Sequence, residues 1–241
     1  MAESAGTDDG HIKAALESVK QRVAAASAER GSAHATRLVA VSKTKPVSDL
    51  MAAYDAGQRI FGENYVQELI DKAPQMPEDV QWHFIGHLQS KKANGLVAKV
   101  PNLVAVETVD DDKIASKLNS ACAAAGRASK LQVYLQVDTS GEETKSGVDP
   151  EGAPTLAKHV VEDCPNLELK GLMTIGAPDD FECFNRLAAC RHEVAEALGV
   201  DAASLELSMG MSGDFEEAIA RGSTSVRVGS TIFGARNYAN K

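Results

Sequence analysis

Eight short apolar runs, separated by stretches with helical periodicity, set the tightest limit on how this chain folds. The runs are Leu38–Val41, Ile60–Gly62, Trp82–Ile85, Leu103–Val106, Leu131–Val137, Leu167–Ile175, Leu205–Met209 and Ser225–Val228. Many are continuously hydrophobic, as parallel strands buried on both faces require. Between the first two, Val47, Leu50, Met51 and Tyr54 recur at i, i+3, i+4 and i+7, with Ser48 or Asp49 near the start and Gly57 where a helix C′ residue belongs. Leu187, Val194 and Leu198 stripe a later helix that stops at Gly199. Asp149-Pro150 predicts an N-cap side chain ahead of a first-turn proline, and Asp214 with Glu217 predicts a capping box before a helix ended by Gly222. One more helix, with Ile12, Leu16, Val19 and Val23 on one stripe, precedes the first strand.

Eight strands, seven intervening helices and no Pro- or Gly-rich linker predict one closed (β/α)8 TIM barrel with an extra N-terminal helix. The barrel is expected over residues 11–241, behind a disordered tail at 1–10. The extra helix is expected to cover the barrel where the helix after the eighth strand is short. An open doubly wound sheet is the alternative, but no G-x-G-x-x-G follows any strand.

Composition narrows the function classes. With 241 residues, 44% of them hydrophobic, the chain can bury a full core, and collagen-like or wholly disordered states are excluded. A net charge of −9 repels a polyphosphate backbone, so no nucleic acid is expected as partner, although a local basic pocket can still hold one small phosphate. Cys122, Cys164, Cys183 and Cys190 form no C-x-x-C pair and read as reduced, mostly buried small hydrophobes. No signal or transit pattern opens the chain, and no apolar run reaches the ~20 residues of a membrane span. The expected compartment is the cytoplasm, with no membrane partner.

In a barrel the chemistry sits at the C-terminal ends of the strands. There the first strand runs into Val41-Ser42-Lys43-Thr44-Lys45-Pro46. Period-two alternation puts Val39, Val41 and Lys43 on one face, so that Lys43 points into the mouth if the valines point inward. A lysine in a low-dielectric mouth can supply the neutral amine that attacks carbonyls. Lys45 has the same parity and competes with it; a solvated loop lysine is the ordinary reading of either. The last two strands end in Met209-Gly210-Met211-Ser212-Gly213-Asp214 and Arg227-Val228-Gly229-Ser230, small-residue turns whose amides and hydroxyls can form an anion cup. Helix capping explains each turn singly; two adjacent turns with a strand-borne Arg227 favour a phosphate site.

Lysine and cup together describe a ligand with an aldehyde at one end and a phosphate at the other: pyridoxal 5′-phosphate, or a sugar-phosphate aldehyde. Asn64 can hydrogen-bond a ring substituent and His83 can pack near the ring, unless they are a helix N-terminal residue and a satisfied barrel histidine. His83 and His87 stand at i, i+4 in a segment that reads as strand, so no metal is expected. Lys145-Ser146 after Gly141 misses the spacing of a phosphate loop.

These segments, with Phe61-Gly62-Glu63-Asn64-Tyr65-Val66-Gln67-Glu68, Trp82-His83-Phe84-Ile85-Gly86, Lys145-Ser146-Gly147, Gly171-Leu172-Met173-Thr174-Ile175 and Ile232-Phe233-Gly234, closely resemble the pyridoxal phosphate homeostasis proteins. The match runs in order from about Leu38 to the C-terminus. The resemblance implies a barrel of the alanine racemase N-terminal type, with the cofactor held as a Schiff base on Lys43 rather than Lys45. It also implies a pocket of Asn64, His83, Ser212, Arg227, Gly229 and Ser230. Arg227, Gly229 and Ser230 match an arrangement in the racemases whose arginine faces the pyridine nitrogen.

An arginine there disfavours protonation of that nitrogen and leaves the ring a weaker electron sink. Racemisation also needs a second acid/base group, which in the racemases comes from a C-terminal β-domain, and a chain ending at Lys241 leaves no room for one. The expectation is therefore a monomeric, non-catalytic protein that stores, buffers or delivers pyridoxal phosphate to apo-enzymes that depend on it. The alternatives are an amino-acid racemase of low activity and a phosphosugar lyase or isomerase.

Overall fold

The computed structural model of the chain describes residues 9–31, 35–141 and 146–235. In chain order the helices and strands are α1 (Asp9–Glu29), β1 (Arg37–Val41), α2 (Val47–Asp55), β2 (Ile60–Glu63), α3 (Val66–Lys72), β3 (Gln81–Phe84), α4 (Ala93–Lys99), β4 (Leu103–Val109) and α5 (Asp112–Ala124). They continue with β5 (Leu131–Gln136), α6 (Ala153–Asp163), β6 (Leu167–Met173), α7 (Glu182–Leu198), β7 (Glu206–Met211), α8 (Phe215–Ala220), β8 (Ser225–Val228) and α9 (Ser230–Phe233). All neighbouring strands are parallel, and β8 returns to β1 through Arg37↔Ser225 to Ala40↔Val228. The result is the closed (β/α)8 barrel that the eight apolar runs predict.

Two layers of burial follow from strand alternation. Phe61, Trp82, Phe84, Leu135, Leu172 and Leu207 join Leu50, Leu69, Leu96, Leu118 and Leu187 of the helices in one apolar core. The other face of the strands is different. There Ala105, Tyr134 and Met173 make a small separate cluster, and His83, Glu107, Ser208 and Arg227 are buried as well. Both faces are buried as expected, but the inner face mixes apolar residues with polar ones. The polar inner face tolerates burial because its groups are paired with one another, which removes most of the desolvation cost.

At the N-terminal end of the strands the interior is closed by Arg37, Tyr134 and Glu206. Arg37 donates to both Glu206 oxygens and, at 3.0 Å, to the Tyr134 hydroxyl, which in turn donates to Glu206 Oε2 at 2.7 Å. The opposite end is left for the cavity described below.

Helix α1 buries Ile12, Leu16, Val19 and Val23 and packs on α2, α8 and α9. As expected, it covers the side of the barrel where α9 is a single turn. It includes Asp9 and Gly10, which the sequence reading places in the tail, and residues 1–8 lie outside the described residues. Gly57 and Gly199 follow α2 and α7 with φ of 86° and 68°, left-handed positions where a Cβ is disfavoured.

Two caps differ from expectation. The Asp214 carboxylate accepts from the Met211 amide at 2.6 Å, turning back into its own loop, and makes no cap bond to α8. Asp149 makes no side-chain cap either; its carbonyl starts a 3-10 turn at Pro150–Gly152 ahead of α6. All four cysteines are unpaired and buried, and burial pushes the Cys190 thiol up to about 12. No helix of the described residues is long and apolar enough to cross a membrane.

Candidate cofactor pocket

A cavity of about 410 Å³ opens at the C-terminal ends of the strands. It is lined by Val41, Lys43 and Lys45 after β1, Asn64 after β2, Ile85 after β3, Ile175 after β6, Met211, Ser212 and Gly213 after β7, and Arg227, Gly229, Ser230 and Gly234 around β8. Six of the seven residues singled out from the sequence are therefore in one lining: Lys43, Asn64, Ser212, Arg227, Gly229 and Ser230. Val41, Ile85, Ile175 and Met211, which sequence reasoning did not pick, give it apolar walls.

The β7 and β8 turns are tied together. The Gly229 amide donates to Ser212 Oγ at 3.1 Å, and Thr231 Oγ1 reaches the Ser212 carbonyl at 3.5 Å. A Cβ on Gly229 would stand 3.1 Å from the Val41 carbonyl oxygen, so the residue is set by close approach of the β1 and β8 ends. Ser230 and Thr231 open α9 and have no preceding turn to receive their amides, which leaves those N–H groups for an oxygen-rich ligand.

Both lysines line the cavity. β1 ends at Val41, and Thr44, between the lysines, has φ of 64°. Strand parity therefore does not extend to either. Lys45 Nζ donates to the carbonyls of Phe233 at 2.5 Å and Ala235 at 2.8 Å, at the C-terminal end of α9. That engagement ties Lys45 to the rim, a distinction the sequence pattern did not make.

Below the cavity floor lies a buried relay. Arg227 donates through Nη1 to Ser208 Oγ at 2.7 Å and through Nη2 to the Thr174 carbonyl at 2.7 Å. Ser208 donates to Glu107 Oε2 at 2.5 Å, and Glu107 Oε1 lies 2.6 Å from His83 Nδ1. Burial raises the Glu107 carboxyl, but the hydrogen bond and charge of His83, the Arg227 charge and Ser208 outweigh it, and the net displacement is downward. Burial pushes the Arg227 guanidinium below its ordinary value, against Glu107 and Asp214, yet it stays cationic at any physiological pH.

His83 is thus placed inside the barrel as the partner of Glu107, 2% exposed, and is not among the cavity-lining residues. His87 is on the surface, 3.9 Å from Asp110. Glu107 and Ser208 were missed, although a Glu directly after the apolar run Leu103–Val106 and the alternation Glu206-Leu207-Ser208 were visible signals. Lys145 lies outside the described residues.

The lining fits a small aldehyde that carries a phosphate. Its ionisable side chains among the described residues are Lys43, Lys45 and Arg227, all basic. Asn64 Oδ1 is buried with no hydrogen-bond partner, an acceptor left for a donor entering the cavity.

The alanine racemase N-terminal domain family matches residues 15–237. The human pyridoxal phosphate homeostasis protein is 46% identical over 248 residues, covering 95% of this chain and 88% of its own. That of Schizosaccharomyces pombe is 51% identical over 205 residues, covering 83% of this chain and 84% of its own. Among solved structures, PipY of Synechococcus elongatus with pyridoxal phosphate bound superposes with a TM-score of 0.74 at 32% identity, covering 92% of this chain and all of PipY.

Proposed function

The chain belongs to the pyridoxal phosphate homeostasis proteins and carries the alanine racemase N-terminal domain, and from that premise we propose that it binds pyridoxal 5′-phosphate in the cavity at the C-terminal ends of its strands. The observation that carries this reading is the lining itself: among the described residues an all-basic set of ionisable groups in a chain of net charge −9, with a serine-glycine turn pair at one side and a lysine amine beside it.

When bound, the cofactor supplies an aldehyde that a primary amine takes up as a Schiff base. Lys43, the position that the resemblance to the family implies, is the amine in this reading, and Lys45 donates to the Phe233 and Ala235 carbonyls. Ser212, Ser230 and the amides that open α9 hold the phosphate, with Gly229 allowing the backbone close approach. Asn64 offers its unpartnered oxygen to the ring's donor, and Val41, Ile85, Ile175 and Met211 exclude water from the ring faces. Arg227, fixed by Ser208 and Thr174, presents a permanent positive charge at the base of the pocket, which disfavours a second positive charge nearby. His83 acts one step removed, by holding the Glu107 carboxylate that faces Ser208 and Arg227.

The protein in this reading holds the cofactor and releases it, storing, buffering or delivering it to apo-enzymes as a cytoplasmic monomer. The pocket's ionisable lining supports holding over turnover, since lysine and arginine supply charge but no carboxylate, phenol or imidazole stands with them in the lining among the described residues. Titration of the protein with pyridoxal phosphate, followed by visible absorbance, tests the reading. Saturable binding at one site that is lost in Lys43→Ala is expected; α-proton exchange on alanine or serine, dependent on Lys43 and far above free cofactor, would replace holding by racemase activity.

A further inference from the structure

Lys72 ends α3 with its side chain turned inward, 8% exposed. Its three N–H bonds all find oxygen: the Ser42 carbonyl at 2.8 Å, Glu63 Oε1 at 2.7 Å and Glu68 Oε1 at 2.5 Å. An ammonium has three donors, so this one is saturated. The same two carboxylates grip the chain on both sides of Lys43. Ser42 Oγ donates to Glu63 Oε1 at 2.7 Å, and the Thr44 amide donates to Glu68 Oε1 at 2.6 Å. The turn is closed by the Lys45 amide on the Ser42 carbonyl at 3.1 Å.

Thr44 has φ of 64°, a left-handed conformation that a β-branched residue adopts only when its surroundings enforce it. The carboxylate on its amide is what enforces it here. A buried ion cluster adds little net stability, because desolvation offsets the attraction and apolar residues of similar volume serve as well. What such a cluster does fix is geometry, and here the fixed segment is Ser42-Lys43-Thr44.

We propose that Glu63, Glu68 and Lys72 are positioning residues for Lys43: they lock the turn from β1 into α2 so that the Lys43 amine is presented to the cavity in one arrangement. None of the three is in the lining, and they act through the backbone of residues 42 and 44 and the Ser42 hydroxyl. The proposal rests on the reading of Lys43 as the residue that takes up the aldehyde. Holding an amine in place converts its encounter with a bound aldehyde into an intramolecular step, so loosening the turn weakens aldehyde capture and leaves recognition of the phosphate untouched.

The test compares pyridoxal 5′-phosphate with pyridoxine 5′-phosphate, which has an alcohol in place of the aldehyde. Glu68→Ala removes the acceptor of the Thr44 amide at a partly exposed site, and Lys72→Met removes the buried charge; circular dichroism and a thermal melt report whether each folds. Both variants are expected to bind pyridoxine phosphate within about twofold of the unaltered protein, while affinity for pyridoxal phosphate and the rate of borohydride trapping at Lys43 fall about tenfold or more. Glu68→Gln, whose amide oxygen can still accept from Thr44, is expected to restore trapping. Parallel loss of both ligands in Glu68→Ala, or no change in either, overturns the positioning role. Trapping in the unaltered protein at a lysine other than 43 removes instead the reading beneath it.

Discussion

Arg227 and Glu107 are buried 4.0 Å apart with the Ser208 hydroxyl bridging them, so an arginine of the cavity lining is held from the opposite side of the barrel. Glu107 is on β4 and Arg227 on β8. The register of a strand far in sequence therefore sets the charge at the base of the pocket.

Removing one member of such a pair leaves the other buried without its counter-charge. Glu107→Leu is expected to cost about 3–5 kcal/mol of stability by chemical denaturation. Glu107→Gln costs less, because its amide still reaches Ser208 and His83. The folded carboxyl lies below its ordinary value, so it contributes stability above that value which is lost as pH falls through the depressed one. Denaturation midpoints of Glu107→Gln are expected to fall less steeply at acid pH than those of the unaltered protein.

Glu63 carries the opposite sign. Burial pushes its carboxyl from 4.5 up to about 7, with Lys72 opposing, Glu68 adding, and Ser42 and Lys72 hydrogen bonds opposing. The folded state then binds a proton that the unfolded state has released. Stability tied to this group is full below about pH 4.5 and is lost as pH rises through about 7. Melts between those limits are expected to show a decline on the order of 1 kcal/mol per pH unit that is absent in Glu63→Gln.

The tie between the two phosphate-side turns is testable at Ser212. Ser212→Ala removes the acceptor of the Gly229 amide, at a cost of about 1 kcal/mol in stability. In calorimetric titration, affinities for pyridoxal phosphate and pyridoxine phosphate are expected to drop together. A drop for the aldehyde alone would place Ser212 with Lys43 instead.

Tyr134→Phe, at the closed end of the barrel, separates stability from binding. It deletes hydrogen bonds to Glu206 and Arg37 and is expected to cost about 1–2 kcal/mol with ligand affinity unchanged. An altered affinity would mean that the floor network reaches the pocket.

The barrel was legible because each strand carries apolar residues that join the helices in one core, and Gly57 and Gly199 punctuate helix ends by backbone conformation alone. The inner face was not, because pairing across the barrel hides polar residues as distant in sequence as Glu107 and Ser208. Six of the residues picked for the site share one lining because motifs at strand ends converge in any barrel. Lys43 and Lys45 could not be separated by parity, since alternation stops at Val41 and Thr44, between them, takes a positive φ. Asp214 matched a capping box in spacing, but its carboxylate found the Met211 amide within its own loop first.

Which lysine takes up the aldehyde is decided most directly by trapping. The protein is loaded with pyridoxal phosphate, reduced with borohydride, digested, and the modified peptide located by mass, alongside Lys43→Ala and Lys45→Ala. Modification at Lys43, absent in Lys43→Ala and retained in Lys45→Ala, is the predicted result. Modification at Lys45, or a saturable single adduct that survives in Lys43→Ala, would contradict it.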